Sequence, residues 1–146
     1  MSYSGRYITK NPKKYRGDSQ RIYYRSLWER KFMVYCDTND SVIEWGSEEI
    51  IIPYLSPWDG RIHRYFPDFY IKVKQHNNTI KKFIIEVKPK KQCSPPTAKP
   101  KRKTKRWFNE VKTWGINEAK WKAAEELCEA RGWKWQIITE DTLTTK

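Results

Sequence analysis

The sequence predicts an α/β domain, and three observations carry that prediction. Apolar residues recur at helical spacing after Ser26 and again after about Trp107, the stretch between them alternates with a period of two, and 146 residues suffice to bury one core but not two. Aromatic residues make up 15% of the chain, so a few large side chains can fill that core although the hydrophobic fraction is 38%. A single domain spanning 1–146 is expected.

Residues 1–24 mix Gly5, Pro12 and Gly17 with Lys, Arg and Tyr in no clear period, and read as an irregular basic arm. A helix starts at Ser26, because Trp28, Phe32, Tyr35 and Cys36 fall at i, i+4, i+7 and i+8, and it ends near Asp37–Asp40. Strand signals follow over Glu48–Tyr54, then a turn around Ser56–Gly60, then Ile62–Lys74 and Ile80–Lys88, which together predict an antiparallel meander. A second helical region begins near Trp107, is interrupted near Gly115 and resumes from Asn117 to Arg131. Its stripe is Ala119, Ala123, Leu127 and Ala130, and Gly132 is the stop. A last strand covers Trp133–Thr139.

Between strand and helix, Pro89–Arg106 holds four prolines and eight Lys or Arg without one acid, and reads as a mobile basic loop. That segment carries +8 of the formal +13, so the charge is local. Lys and Arg in such excess favour a polyanion through counterion release, which makes DNA the expected partner. Lys90, Lys91, Lys99, Lys101, Arg102, Lys103, Lys105 and Arg106 are the candidate contacts, with the arm 1–24 wrapping the domain or touching DNA. No apolar run approaches the roughly 20 residues that span a bilayer and no signal peptide is visible, so no membrane is expected and the protein reads as soluble and intracellular. Cys36, Cys93 and Cys128 are odd in number and widely spaced, which predicts free thiols and no zinc site.

Chemistry concentrates in Pro67-Asp68 and, 18 residues later, Glu86-Val87-Lys88. Alternation puts Glu86 and Lys88 on one face of their strand, opposite Phe83, Ile85 and Val87, while Asp68 lies opposite Phe69, Ile71 and Val73. Pairing Asp68 with Glu86 across a hairpin requires a three-residue loop at His76-Asn77-Asn78, and Asn tolerates the left-handed backbone such a loop uses. Two carboxylates that close repel each other unless a cation sits between them, and Mg²⁺, which prefers oxygen ligands, is the expected occupant, with Mn²⁺ able to substitute. Lys88 is placed to orient water or neutralise a phosphate. Surface strands carry such residues for solubility as well, and spacing alone does not choose. Ser26 and Glu29 form a capping box, which explains Glu29 as well as a ligand role does. Lys120, one turn from Asn117, fits either a phosphate contact or a solvated helix face. His63 and His76 read as surface or packing residues, and the tryptophans near helical spacing as core.

Taken in order, a helical Glu29, Pro67-Asp68, Glu86-x-Lys88, then a helix and a last strand resemble the PD-(D/E)xK nuclease superfamily. The resemblance implies a central mixed β-sheet flanked by α-helices and a phosphodiester hydrolase with Glu29, Asp68, Glu86 and Lys88 as catalytic residues. It implies metal ligation by Asp68, Glu86, the Val87 carbonyl and Glu29. YSGRY at 3–7, YRSLWERKFM at 24–33, EWGSEE at 44–49, HRYFPDFY at 63–70, EVKPK at 86–90, AKWKAAEE at 119–126 and ITEDTL at 138–143 resemble the head-completion family of T4-like tailed bacteriophages, and the Ser-x-x-Glu, Pro-Asp and Glu-x-Lys pattern is similar to Tn7-type transposon-end nucleases. These likenesses imply a late-acting endonuclease on packaged DNA or its ends, located in the virion and the host cytoplasm, with phage head, portal or neck proteins as partners. The rival expectation is a DNA-end-binding or head-plug protein without catalysis.

Overall fold

The computed structural model describes residues 3–96 and 102–143. Chain order gives β1 (Gly5–Arg6), β2 (Tyr23–Tyr24), α1 (Leu27–Thr38), β3 (Val42–Ser47), β4 (Ile52–Leu55), β5 (Ile62–Tyr65), β6 (Phe69–Lys74), β7 (Ile80–Val87), α2 (Lys105–Arg131), β8 (Lys134–Ile138) and α3 (Glu140–Leu143). The central sheet runs β3-β6-β7-β8, with β8 parallel to β7 and the other pairs antiparallel, so it is mixed as the resemblance implied. β4 and β5 form a separate two-stranded ribbon.

Helices cover both faces of the sheet. On one, Phe32, Met33 and Cys36 of α1 pack on Trp45, Phe69, Ile71, Ile85 and Val87. On the other, Ala124 and Cys128 of α2 pack with Tyr70, Ile84 and the ribbon residues Ile52, Tyr54 and Tyr65. The acid-bearing face of β6 and β7 is therefore roofed by α2 and the ribbon, and becomes a partly closed site instead of an open surface. Trp121, Trp133 and Trp135 pack against this second core, in keeping with a packing role for the tryptophans.

The hairpin register is the expected one: Phe69 pairs with Ile85, which puts Asp68 opposite Glu86. Gln75 and Thr79 close the three-residue loop (2.8 Å), and Asn78 takes the left-handed φ of +66°. Ser26 caps α1 by accepting from the Glu29 amide (3.1 Å), and Gly132, at φ +72°, ends α2.

Five expectations need correction. The first concerns the arm, read as irregular: its described residues 3–24 include the paired strands β1 and β2 and pack on the domain, the wrapping alternative of the two expected. Tyr7, Tyr15 and Ile22 are buried, and aperiodicity arises because the chain crosses the core instead of running along it. Second, β3 precedes the strand expected at Glu48–Tyr54. A bulge between Val42 and Glu44 breaks its alternation, and Glu48 turns the chain at φ +56°. Third, Ile62–Lys74 is two strands, because Pro67 lacks the amide to continue a ladder and the chain passes there from ribbon to sheet. Fourth, α2 is continuous through Gly115: a glycine inside a helix costs only about 1 kcal/mol against alanine, which the packing of the rest of α2 on the second core outweighs. Fifth, Thr104 caps α2 by accepting from the Trp107 amide (3.1 Å), so Lys105 and Arg106 are helical, and Lys90–Cys93 form a 3₁₀ turn instead of loop. Lys99 and Lys101 lie outside the described residues.

Cys36, Cys93 and Cys128 are free thiols. Among the described residues no helix is long and apolar enough to cross a membrane.

Candidate active site

Asp68 and Glu86 meet where β5, β6 and β7 converge. The Asp68 Oδ2 accepts from the Val87 amide (2.8 Å), and the Asp68 amide donates to Glu86 Oε1 (3.3 Å), so each acid is held by the other's strand. Tyr65, at the base of the ribbon, donates its hydroxyl to the same Glu86 oxygen (2.6 Å). Lys88 Nζ lies 3.9 Å from Glu86 Oε2, as expected from their shared strand face. Glu86 is buried, with only 6% of its surface exposed.

Burial raises the proton affinity of both acids. Asp68 is held well above the usual carboxylate range by burial and then by the Glu86 charge, with Glu29 adding to the effect and Lys88 opposing it. Glu86 is raised by burial against the Tyr65 hydroxyl, the Lys88 and Lys120 charges and the Asp68 amide, which all favour its ionised form. Glu29 is also raised, by burial first and by Glu48 and Glu86 through their charges, so the α1 terminus feels the same field. Its Oε1 accepts from the Arg25 amide (3.2 Å), one residue before the cap. Capping and proximity to the acids coexist in this residue.

Among the described residues no three His, Cys, Asp or Glu side chains form a ready-made metal cluster. The donor set still fits a hard divalent cation with few protein ligands. Two facing carboxylates repel at close range, all the candidate donors are oxygen, and Asp68 Oδ1 accepts no hydrogen bond among the described residues. An ion that keeps most of its own waters suits such a pair.

Lys120 reaches over the site from α2. Its Nζ stands 5.6 Å from the Tyr65 ring and 5.8 Å from the Tyr54 ring, and its charge favours ionised Glu86, so it faces the acids and is not on a plain solvated face. Arg102, Lys103, Lys105 and Arg106 are exposed at the start of α2, as are Lys90 and Lys91 after β7. Lys90 is tied to Asp141 (3.3 Å) and its amide to Glu140 (2.7 Å), which anchors the segment leaving the site against α3.

Two residues at the site escaped the sequence reading. Tyr65 sits two positions from Pro67 but its partner is 21 residues away, so no local spacing exposes it. Glu48 joins by backbone conformation. Its left-handed turn lets its amide donate to the Asp68 carbonyl (3.1 Å), while its carboxylate pairs with Arg25 (2.8 Å).

A family described as TnsA-like endonuclease N terminal matches residues 39–140, a stretch that holds Asp68, Glu86 and Lys88 and begins after Glu29. The chain is similar to the head completion nuclease of Enterobacteria phage T4, at 46% identity over 98% of this chain and 95% of that one. A family match over most of the chain, together with a relative 46% identical over nearly its whole length, shows that the chain belongs to the TnsA-like endonuclease family.

Proposed function

We propose that this protein is a divalent-metal-dependent DNA endonuclease that cleaves phosphodiester bonds at Asp68, Glu86 and Lys88, with Mg²⁺ as its ion and Mn²⁺ able to substitute. The observation that carries it is the facing pair Asp68 and Glu86, each raised in proton affinity and each held by amide donors, with an ammonium 3.9 Å away. A binding-only protein gains nothing from burying two repelling acids beside a phosphate site.

Asp68, Glu86, the Val87 carbonyl and Glu29 would hold the cation. When bound, a divalent ion there polarises the phosphodiester and lowers the pKa of a coordinated water. Tyr65 fixes the Glu86 carboxylate by its 2.6 Å bond and keeps one oxygen in place. Lys88 holds positive charge beside that carboxylate, where charge developing on a phosphate would be neutralised. Lys120 adds a second cation across the site. The T4 relative is named a head completion nuclease, which supports a nuclease acting in head completion; action on packaged DNA or its ends before head–tail joining, with head, portal or neck proteins as partners and the virion and host cytoplasm as the setting, belongs to the same proposal.

Nicking of supercoiled plasmid by the purified protein tests the reading. Conversion to open circles is expected with Mg²⁺ or Mn²⁺ and none with EDTA. Nicking that persists in EDTA would remove the metal from the mechanism.

The segment 89–106 is expected to guide DNA to the acids. Neutralising Lys99, Lys101, Arg102, Lys103, Lys105 and Arg106 together should weaken binding and flatten the slope of log K against log salt by about 0.9 for each phosphate that is no longer neutralised. An unchanged slope in a fluorescence anisotropy titration would show that these cations do not touch DNA.

A further inference from the structure

The β4–β5 ribbon has two unlike faces. Ile52, Tyr54 and Tyr65 are buried under α2, whereas Leu55 and Ile62, paired across the strands, are 60% and 67% exposed, and Trp58 at the tip is 61% exposed. Arg61 and Arg64 stand exposed among them. The ribbon's one acid, Asp59, is already engaged, by His63 (2.7 Å) and by the Arg61 amide (3.0 Å). Lys112 of α2 places its ammonium 4.8 Å from the Trp58 ring, so cations flank the apolar tip on two sides.

Other apolar side chains, such as Ile8 and Phe108, are exposed as well, but these three share one ribbon and the charge around them is positive. Exposed apolar side chains flanked by arginines on a two-stranded ribbon match what duplex DNA accepts: a groove wide enough for such a ribbon, sugars and base edges for apolar atoms, and phosphates for guanidinium groups. The ribbon is also joined to the acids with little slack. Tyr65 at its base donates to Glu86, and Phe66 and Pro67 lead directly from β5 to Asp68.

We infer that the β4–β5 ribbon seats in a groove of the duplex beside the scissile phosphate, with Leu55, Trp58 and Ile62 against sugars and bases and Arg61 and Arg64 on phosphates, and that it sets where the cut falls. The inference takes DNA as substrate from the nuclease reading, but its test does not need cleavage.

The test is anisotropy binding of a labelled duplex to full-length Asp68→Asn protein in EDTA. In that background, Leu55→Ser, Ile62→Ser and Trp58→Ala combined should weaken binding about tenfold with little change in salt slope. Arg61→Gln with Arg64→Gln should lower the slope by about 0.9 for each phosphate left without its guanidinium. Because all five side chains are exposed, melting temperatures should stay near the parent's, and Trp58→Ala alone replaces the apolar triple if the triple melts early. On the active background, the ribbon variants should shift cut positions along an end-labelled duplex. Unchanged affinity and slope in both sets would overturn the inference, as would weakening confined to the arginine pair, which would leave phosphate binding without groove seating. A wild type that never nicks, beside ribbon variants that bind weakly, would sink the nuclease reading and leave the ribbon's role standing.

Discussion

Asp68→Asn is expected to lower the nicking rate by about 10³-fold while making the metal-free protein more stable. The asparagine keeps an oxygen for the Val87 amide but cannot ionise, so the geometry is retained and the repulsion with Glu86 is removed. The sign of the pH dependence follows from the direction of the shift. Folded Asp68 binds its proton more tightly than unfolded Asp68, so between the two pKa values the folded state carries more protons and stability falls as pH rises. Below about pH 4 both states are protonated and the contribution vanishes. The stability gain of Asp68→Asn over wild type should therefore be near zero at low pH and grow through the window above about pH 4. Melting curves in EDTA across pH measure this, and added Mg²⁺ should raise the melting temperature of wild type more than that of the variant. A variant that nicks like wild type, or that melts lower at every pH, contradicts the assignment.

Asp37→Ala is expected to cost about 3–5 kcal/mol of stability. Asp37 is fully buried at the end of α1, and its carboxylate accepts from the Tyr7 hydroxyl (2.7 Å), the Thr9 hydroxyl (2.6 Å), the Lys10 amide (2.8 Å) and the Asn11 amide (3.1 Å). Burial raises its pKa, yet these donors more than reverse that and hold it below the ordinary value. Alanine would strand four donors and release the segment that delivers Tyr7 and Tyr15 to the core. Because the folded-state pKa is lowered, the contribution is present above about pH 4 and is lost as pH falls toward the folded value. Urea denaturation at neutral pH reads the difference, and a loss under about 1 kcal/mol would show that water replaces the carboxylate without penalty.

What the sequence made legible follows the regularity of the backbone. β6 and β7 carry unbroken alternation, so their register, the Asn78 turn and the facing of Asp68 and Glu86 could be read before any coordinates. β3 could not, because its bulge shifts Trp45 out of the period begun at Val42. Gly115 looked like a break because helix propensity is local, whereas the helix that runs through it is held by Ala124 and Cys128 packed on the second core. Tyr65 and Glu48 reach the acids through tertiary contact and a left-handed turn, neither of which has a spacing to detect. For Asp37 the partners lie 26 to 30 residues upstream in a segment without period, so the chain shows an ordinary helix-end acid where the fold has a buried clamp.

The parallel strand β8 ties the site to the order of synthesis. Glu86 lies against Ile137, and the Lys88 amide donates to the Ile138 carbonyl (3.0 Å), so the strand that carries the acid and the lysine gains its outer neighbour only when residues 134–138 arrive. Asp68, Glu86 and Lys88 leave the ribosome well before that. The nascent chain thus holds the chemical groups of a nuclease without the sheet that aligns them, and DNA in the producing cell meets a finished centre only after α2 has crossed over and β8 has docked.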